Sequence, residues 1–228
     1  MEAWINKLYE TFIETEYYKL LLEGLGNTLI ITAGALVIGV VIGMLIALIK
    51  FFAEDVPSLR PLSFICDLYV TVIRIPVVVL LLIFYYIIMV SAEGTAVGII
   101  TFGINSGAYM AELIRGGIGA VDRGQMEAGR SLGMSRLQAM RKVVFPLAVK
   151  NILPAIGNEF ISLLKETSVA GYVAVVDITR AGNLIRNNTY DAVNPLLVVA
   201  IVYLSMVVAL SQLMRRLERR LGKSDKRS

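Results

Sequence analysis

Histidine is missing from the 228-residue chain, and cysteine occurs once, at Cys66. A disulfide framework needs paired cysteines, and thiolate or imidazole metal sites need several such ligands, so neither is expected. Cys66 is expected as a buried free thiol. No nucleophile–base pair, metal set or cofactor loop emerges anywhere in the chain. It therefore reads as non-enzymatic, with no catalytic, cofactor-binding or metal-ligating residue assigned. Gly222-Lys223-Ser224 has the ending of a phosphate-binding loop, but Leu217 stands where the first glycine belongs. No nucleotide site is read there. A secretory leader's basic start and small-residue cleavage site are missing as well. Charge is absent from Gly24 to Ile49 and again from Ala192 to Met214, each long enough to cross hydrocarbon.

What is present is mostly apolar. Hydrophobic residues make up 57% of the chain and come in long blocks, the profile of a polytopic membrane protein. The net charge of +4 is small, but seven basic residues cluster between Arg115 and Lys150, and seven more between Arg215 and Arg227. The positive-inside rule makes both groups cytoplasmic, with the N-terminus outside and the C-terminus inside. The same rule accounts for the basic surface without a nucleic-acid partner, since no recognition module is present.

In chain order, residues 1–23 carry five glutamates with Trp4, Leu8 and Phe12 at a spacing of four. That pattern predicts an amphipathic helix on the outer membrane interface. The first span runs from Gly24 to Ile49, and its Gly39 and Gly43 form a G-x-x-x-G pair suited to close packing, within the chain rather than between copies. Lys50 to Arg60 is a short cytoplasmic turn. The second span runs from about Asp67 to Ser91, with Arg74 expected to snorkel to the interface. The third, Gly94 to Ala111, is rich in small residues, and Asn105, Tyr109 and Glu112 give it one polar face. Glu112 stands one turn from Arg115, so a simple ion pair competes with a functional role.

The fourth span is a poor one by hydropathy, because Glu159, Lys165 and Glu166 interrupt it. Glu159, Ser162 and Glu166 share one helical stripe, and Asn158 and Lys165 form the adjoining one. Ionisable groups at membrane depth are costly and should face water or one another, so these residues mark a translocation path or a gate across it. Residues 177–194 form an outer loop with its own polar helix. Ala192 to Met214 is the last span, and 215–228 is a basic cytoplasmic tail. The reading is all-α: a single domain, 1–228, built as a bundle of about five transmembrane helices.

Between the third and fourth spans lies 122–146, DRGQMEAGRSLGMSRLQAMRKVVFP, polar and basic between apolar neighbours. Asp122 with Gln125, and Ser135 with Gln138, have the spacing of an N-cap residue and its third-position partner. Gly133 falls where a first short helix should stop. The stretch predicts helix, glycine turn, second helix and a break near Pro146, with Met126, Leu132, Leu137, Met140 and Val144 supplying apolar contacts. A charged hairpin of this kind at a membrane surface suits docking to a soluble partner.

The run resembles the signature loop of permease subunits of ATP-binding cassette importers, E-A-A, three residues, G, nine residues, I, one residue, L-P. Glu127 and Ala128 match, Gly129 replaces the second alanine, and Gly133 is in register. Val143 and Phe145 replace isoleucine and leucine, and Pro146 matches. The stretch INSGAYMAELIRGGI, from Ile104, resembles the version found in polar amino-acid uptake permeases. Members of that group carry R-G-T-P and a following glutamine where this chain has Arg74-Ile75-Pro76, one residue short and without the glutamine, so no substrate role is carried over there.

The resemblance implies amino-acid transport across the cytoplasmic membrane. It implies three protein partners: an ATPase subunit dimer, a second permease subunit, identical or related, and an extracytoplasmic solute-binding protein. ATP and magnesium would belong to the ATPase, since this chain lacks the loop to hold them. Glu127, Ala128, Gly129, Gly133 and Pro146 are implied in ATPase coupling. An ion-coupled carrier or channel, with Glu159 and Glu166 as its relay, is the rival reading, although no pair of interrupted spans suggests inverted repeats.

Overall fold

The computed structural model describes residues 8–54, 56–88 and 93–225, without the side chains of 88 and 220–225. No strand occurs among them. Among the described residues the α-helices are α1 Tyr17–Ala53, α2 Arg60–Ile73, α3 Val77–Ile88, α4 Gly94–Gly119, α5 Arg123–Ser131, α6 Arg136–Ala139, α7 Phe145–Glu166, α8 Ile178–Thr189 and α9 Asn194–Asp225. Four helical stretches are long and apolar enough to cross a membrane, and a fifth crossing results if α2 and α3 together make one bent span. The expected count of about five stands on that broken helix.

Several expected boundaries move. Trp4 and the start of the predicted interfacial helix lie outside the described residues. From Glu10 to Glu14 the chain forms one π-helical turn, and Glu16 takes a left-handed φ of 58° before α1 begins at Tyr17. Residues from Tyr17 to Glu23 therefore belong to the first long helix rather than to a separate amphipathic one. At the other end α1 runs on to Ala53, and a 3₁₀ turn at Pro57–Leu59 leads into α2, so the expected loop is shorter than Lys50 to Arg60. The second span starts earlier than Asp67 and is interrupted at Arg74–Pro76; its predicted end at Ser91 lies outside the described residues. Pro76 has no N–H for a helical carbonyl and disfavours helical geometry in the residue before it, which is the physical reason for the break. The third span, α4, continues past Ala111 to Gly119.

The described residues group into two compact units. One takes Met1–Val37, Ile75–Gly103 and Ser162–Ala209. Its core is Ile31, Ala35, Leu81, Phe102, Leu163, Ala170, Val173 and Val175. The extended segment before α8 is held tightly by α1: Asn27 Nδ2 donates to the Val176 carbonyl at 2.9 Å, and the Ile178 amide donates to Thr28 Oγ1 at 3.4 Å. Gly24 makes this approach possible, since a Cβ there would sit 2.8 Å from the Asp177 carbonyl carbon. Asp177 is fully buried and caps α8, its carboxylate accepting from the amides of Thr179 at 3.0 Å and Arg180 at 3.1 Å. Burial pushes the Asp177 carboxyl above its ordinary range, against the pull of those amides.

The other unit takes Ile38–Arg74, Ile104–Ile161 and Leu210–Ser228. Two clusters form its core, one of Ile46, Cys66, Val70, Ala108 and Ala111, the other of Ala47, Ile114, Ala148 and Ile152. Cys66 is buried and free, as its setting in the sequence suggested. The G-x-x-x-G pair serves packing inside the chain: a Cβ on Gly39 would lie 2.7 Å from Ser106 Oγ, and one on Gly43 would lie 2.5 Å from Met110 Cβ. α1 and α4 meet here at backbone distance.

Asp177 supplies the fold's test. Replacing it with alanine takes the acceptor from two partly buried amides and is expected to cost about 1–2 kcal/mol, seen as a lower unfolding temperature of the detergent-purified chain. Asp177→Asn keeps an acceptor and removes the disfavoured charge. Because the folded carboxyl titrates above its unfolded value, its contribution is present at low pH and lost as pH rises through the folded value. The stability gap between parent and Asp177→Asn should therefore move in the asparagine variant's favour with rising pH. An unchanged gap would show that Asp177 titrates normally.

Candidate functional site

Two groups of candidate residues stand out: the hairpin lies within the second unit, and so does the polar group as far as Glu159. The first is the hairpin of α5 and α6. Asp122 caps α5, accepting from the Gly124 amide at 2.6 Å rather than from Gln125. α5 ends in a Schellman motif: the Gly133 amide donates to the Arg130 carbonyl at 3.0 Å and the Met134 amide to the Gly129 carbonyl at 3.2 Å. Gly133 has a φ of 81°, the left-handed value this motif needs. Two residues later Ser135 and Gln138 close a capping box, Ser135 Oγ accepting from the Gln138 amide and Gln138 Oε1 accepting from the Ser135 amide at 2.9 Å. The turn is satisfied on both sides.

Gly129, in place of the motif's alanine, is buried where a Cβ would stand 3.0 Å from Ala139 Cβ, so it sets how closely α5 and α6 approach. Met140 and Val144 are buried as expected, but Leu132 and Leu137 are not: they are 79% and 56% exposed. With Glu127 and Ala128, also exposed, they give the hairpin a mixed apolar and acidic outer surface. No break occurs at Pro146. A π-helical turn, Met140–Val144, joins α6 to α7 without interruption, and Pro146 is carried inside this continuous helical run.

The hairpin is tied to the end of α1. Arg136 donates to Glu54 Oε2 at 2.6 Å, and its guanidinium lies 4.8 Å from the centre of the Phe51 ring. Neither Glu54 nor Phe51 stood out in the sequence; a carboxylate just past an apolar span, facing a basic loop, was the available signal. Nearby, Lys50 pairs with Asp67 and so ties α1 to α2.

The second group is polar and lies along α4 and α7. Asn105 is buried and donates to the Ile73 carbonyl at 2.7 Å, one of the carbonyls that α2 leaves unpaired where it stops. Tyr109 carries the Arg74 guanidinium 4.9 Å above its ring. Arg74 thus lies over an aromatic face, and the shortened motif is a helix break clasped by α4. Glu112 forms an ion pair with Arg115 at 2.8 Å. The polar face of α4 is therefore engaged residue by residue.

Glu159 is different. Half-buried in α7, it accepts one hydrogen bond, from Ser106 Oγ at 3.1 Å. Ser106 is fully buried, and Gly39 gives it room. Its place in a small-residue stripe hid this role in the sequence. A carboxylate with a single hydroxyl partner retains unfilled acceptor positions at a depth where charge is costly, and it suits a cation or ammonium. Asn158, beside it, is exposed. Farther along α7, in the first unit, Ser162 and Glu166 are half-buried and Lys165 is exposed.

Residues 36–223 match the family described as binding-protein-dependent transport system inner membrane component. The chain belongs to this family. The permease is 34% identical over 206 residues to the putative glutamine transport system permease protein GlnP of Rickettsia bellii, covering 88% of this chain and 92% of that one. It is 33% identical over 210 residues to the arginine transport system permease protein ArtQ of Bacillus subtilis, covering 90% and 94%. To the glutamine transport system permease protein GlnP of Escherichia coli it is 36% identical over 203 residues, covering 89% and 93%. The crystal structure of an amino acid ABC transporter with histidines aligns at a TM-score of 0.82 and 39% identity, over 91% of this chain and 96% of the other. An inward-facing structure of the MetNI methionine ABC transporter, at 22% identity and a TM-score of 0.76, shares the fold. The permease is thus an inner-membrane transport component, and membership carries with it, in general terms, an ATPase and a binding protein as partners.

The Arg136 clasp is open to a double-mutant cycle on unfolding temperature. Glu54→Gln and Arg136→Gln should couple by about 0.5–1 kcal/mol, the range of a partly exposed ion pair. Additive effects would show that the pair is not held in the folded permease.

Proposed function

We propose that the permease moves a polar amino acid across the cytoplasmic membrane as one of two permease subunits, identical or related. The energy comes from ATP and magnesium bound by a separate ATPase dimer, and the substrate from an extracytoplasmic binding protein. In this reading the N-terminus lies outside, and the hairpin and C-terminus lie in the cytoplasm. The observation that supports it best is the hairpin: a closed turn, satisfied at both caps, offering Glu127, Ala128, Leu132 and Leu137 on an otherwise basic loop. Such a surface fits a groove with apolar walls and a basic residue for Glu127. Closure of the ATPase dimer then displaces the hairpin, and the helix continuous with it carries the movement into the membrane. The hairpin has to favour one ATPase state, because equal affinity for both would shift nothing.

Glu159 is the residue assigned to the substrate's ammonium, with Ser106 fixing its carboxylate. A carboxylate at this place favours a neutral or cationic amino acid over an acidic one, in keeping with the glutamine and arginine systems among the relatives.

Gly133→Val places a β-branched side chain at a left-handed position, strains the turn by at least about 1–2 kcal/mol, and should abolish uptake while the chain still reaches the membrane. Glu127→Lys should do the same by losing the ATPase. Normal substrate-stimulated ATP hydrolysis in either variant, in vesicles holding the whole complex, would refute the docking role. Glu159→Gln should raise KM for the amino acid about tenfold or more, as a hydrogen bond to a charged group contributes about 1.5–3 kcal/mol. Unaltered kinetics would remove Glu159 from the pathway.

A further inference from the structure

We propose that Gln212, Arg215, Arg216 and Arg219 of α9 form a binding site for the phosphate headgroup of an anionic phospholipid. The four side chains line one cleft of about 240 Å³. Their numbers fall at i, i+3, i+4 and i+7, so they share a single face of α9. Three guanidinium groups on one face repel each other, and among the described residues no carboxylate forms an ion pair with any of them. An anion relieves that repulsion, and the planar fork of arginine matches a phosphate through two parallel hydrogen bonds.

What distinguishes a lipid from another anion is the company these arginines keep. Leu213 and Leu217 lie in the same two turns and are exposed, and they continue the exposed apolar run of Ile201, Leu204 and Val208. Met214 alone turns inward, where a Cβ on Gly157 would stand 2.4 Å from its sulfur. The stretch thus offers cations and solvent-facing leucines side by side, just beyond a span with no charge from Ala192 to Met214. A free phosphate leaves the leucines in water, and an acidic protein surface gives them no apolar contact. A phospholipid supplies both, its phosphate to the arginines and its acyl chains to the leucines.

The test is lipid retention by the full chain. The permease is purified from vesicles of phosphatidylcholine alone or mixed with phosphatidylglycerol, washed in detergent, and its bound lipid measured by mass spectrometry. Phosphatidylglycerol should be retained selectively by the parent chain. Each arginine replaced by glutamine should lower that retention about fivefold, the factor expected per interfacial cation, until R215Q/R216Q/R219Q shows no selectivity. R215K/R216K/R219K keeps the charge, guards against misfolding, and should retain clearly more than the glutamine variant. Replacing Arg123, Arg130 and Arg141 by glutamine removes the same charge elsewhere and should leave retention unchanged. Unaltered selectivity in the triple glutamine variant, equal loss in the hairpin control, lysine values as low as glutamine, or displacement by inorganic phosphate would each overturn the site.

Discussion

A chain that reverses direction between two short helices has to satisfy the carbonyls ending the first and the amides starting the second. In this permease both debts fall within Gly129–Gln138, and the left-handed backbone of Gly133 is the condition for meeting them. Without it the Met134 amide does not reach the Gly129 carbonyl, and the capping box that starts at Ser135 is no longer aimed along α6. Gly129 matters for the neighbouring reason, because its missing side chain lets Ala139 approach. The hairpin is therefore one geometric object whose outer residues are free to meet a partner because its inner ones are fully occupied.

The legible part of this architecture was whatever depends on local chemistry. Caps, the glycine turn, the charge-free spans and the close helix pair at Gly39 and Gly43 are properties of a few adjacent or regularly spaced residues, and their physical cause is visible in the sequence. Pro146 misled for a comparable local reason: proline reads as a helix stop, yet here a π-helical turn directly precedes it and the helix runs on. Pro76 has no such refuge, and there the helix does break.

The polar residues of the membrane region were harder to read because their partners are distant in sequence. Asn105, Tyr109 and Glu159 were found by spacing, but spacing did not reveal that Asn105 closes the end of α2, that Tyr109 lies under Arg74, or that Glu159 rests on Ser106. Apolar stretches hid polar work in the same way: Asn27 and Thr28 sit in a segment without charge and yet hold the chain ahead of α8. Exposure of Leu132 and Leu137 was equally invisible, since hydrophobicity signals burial.

A coupling element conveys displacement only as far as the structure behind it is stiff. In the proposed mechanism the path from the hairpin to Glu159 is a helical run without interruption, from α6 through the π-turn into α7, with roughly 20 Å of α7 between Phe145 and Glu159. A break at Pro146 would have placed a joint at the start of that path and let the hairpin move alone. The residue that does weaken it is Pro154, inside α7 and five positions before Glu159, where the ring removes one hydrogen bond of the ladder. A softer point next to the carboxylate is the arrangement expected if the transmitted force is to reorient one side chain.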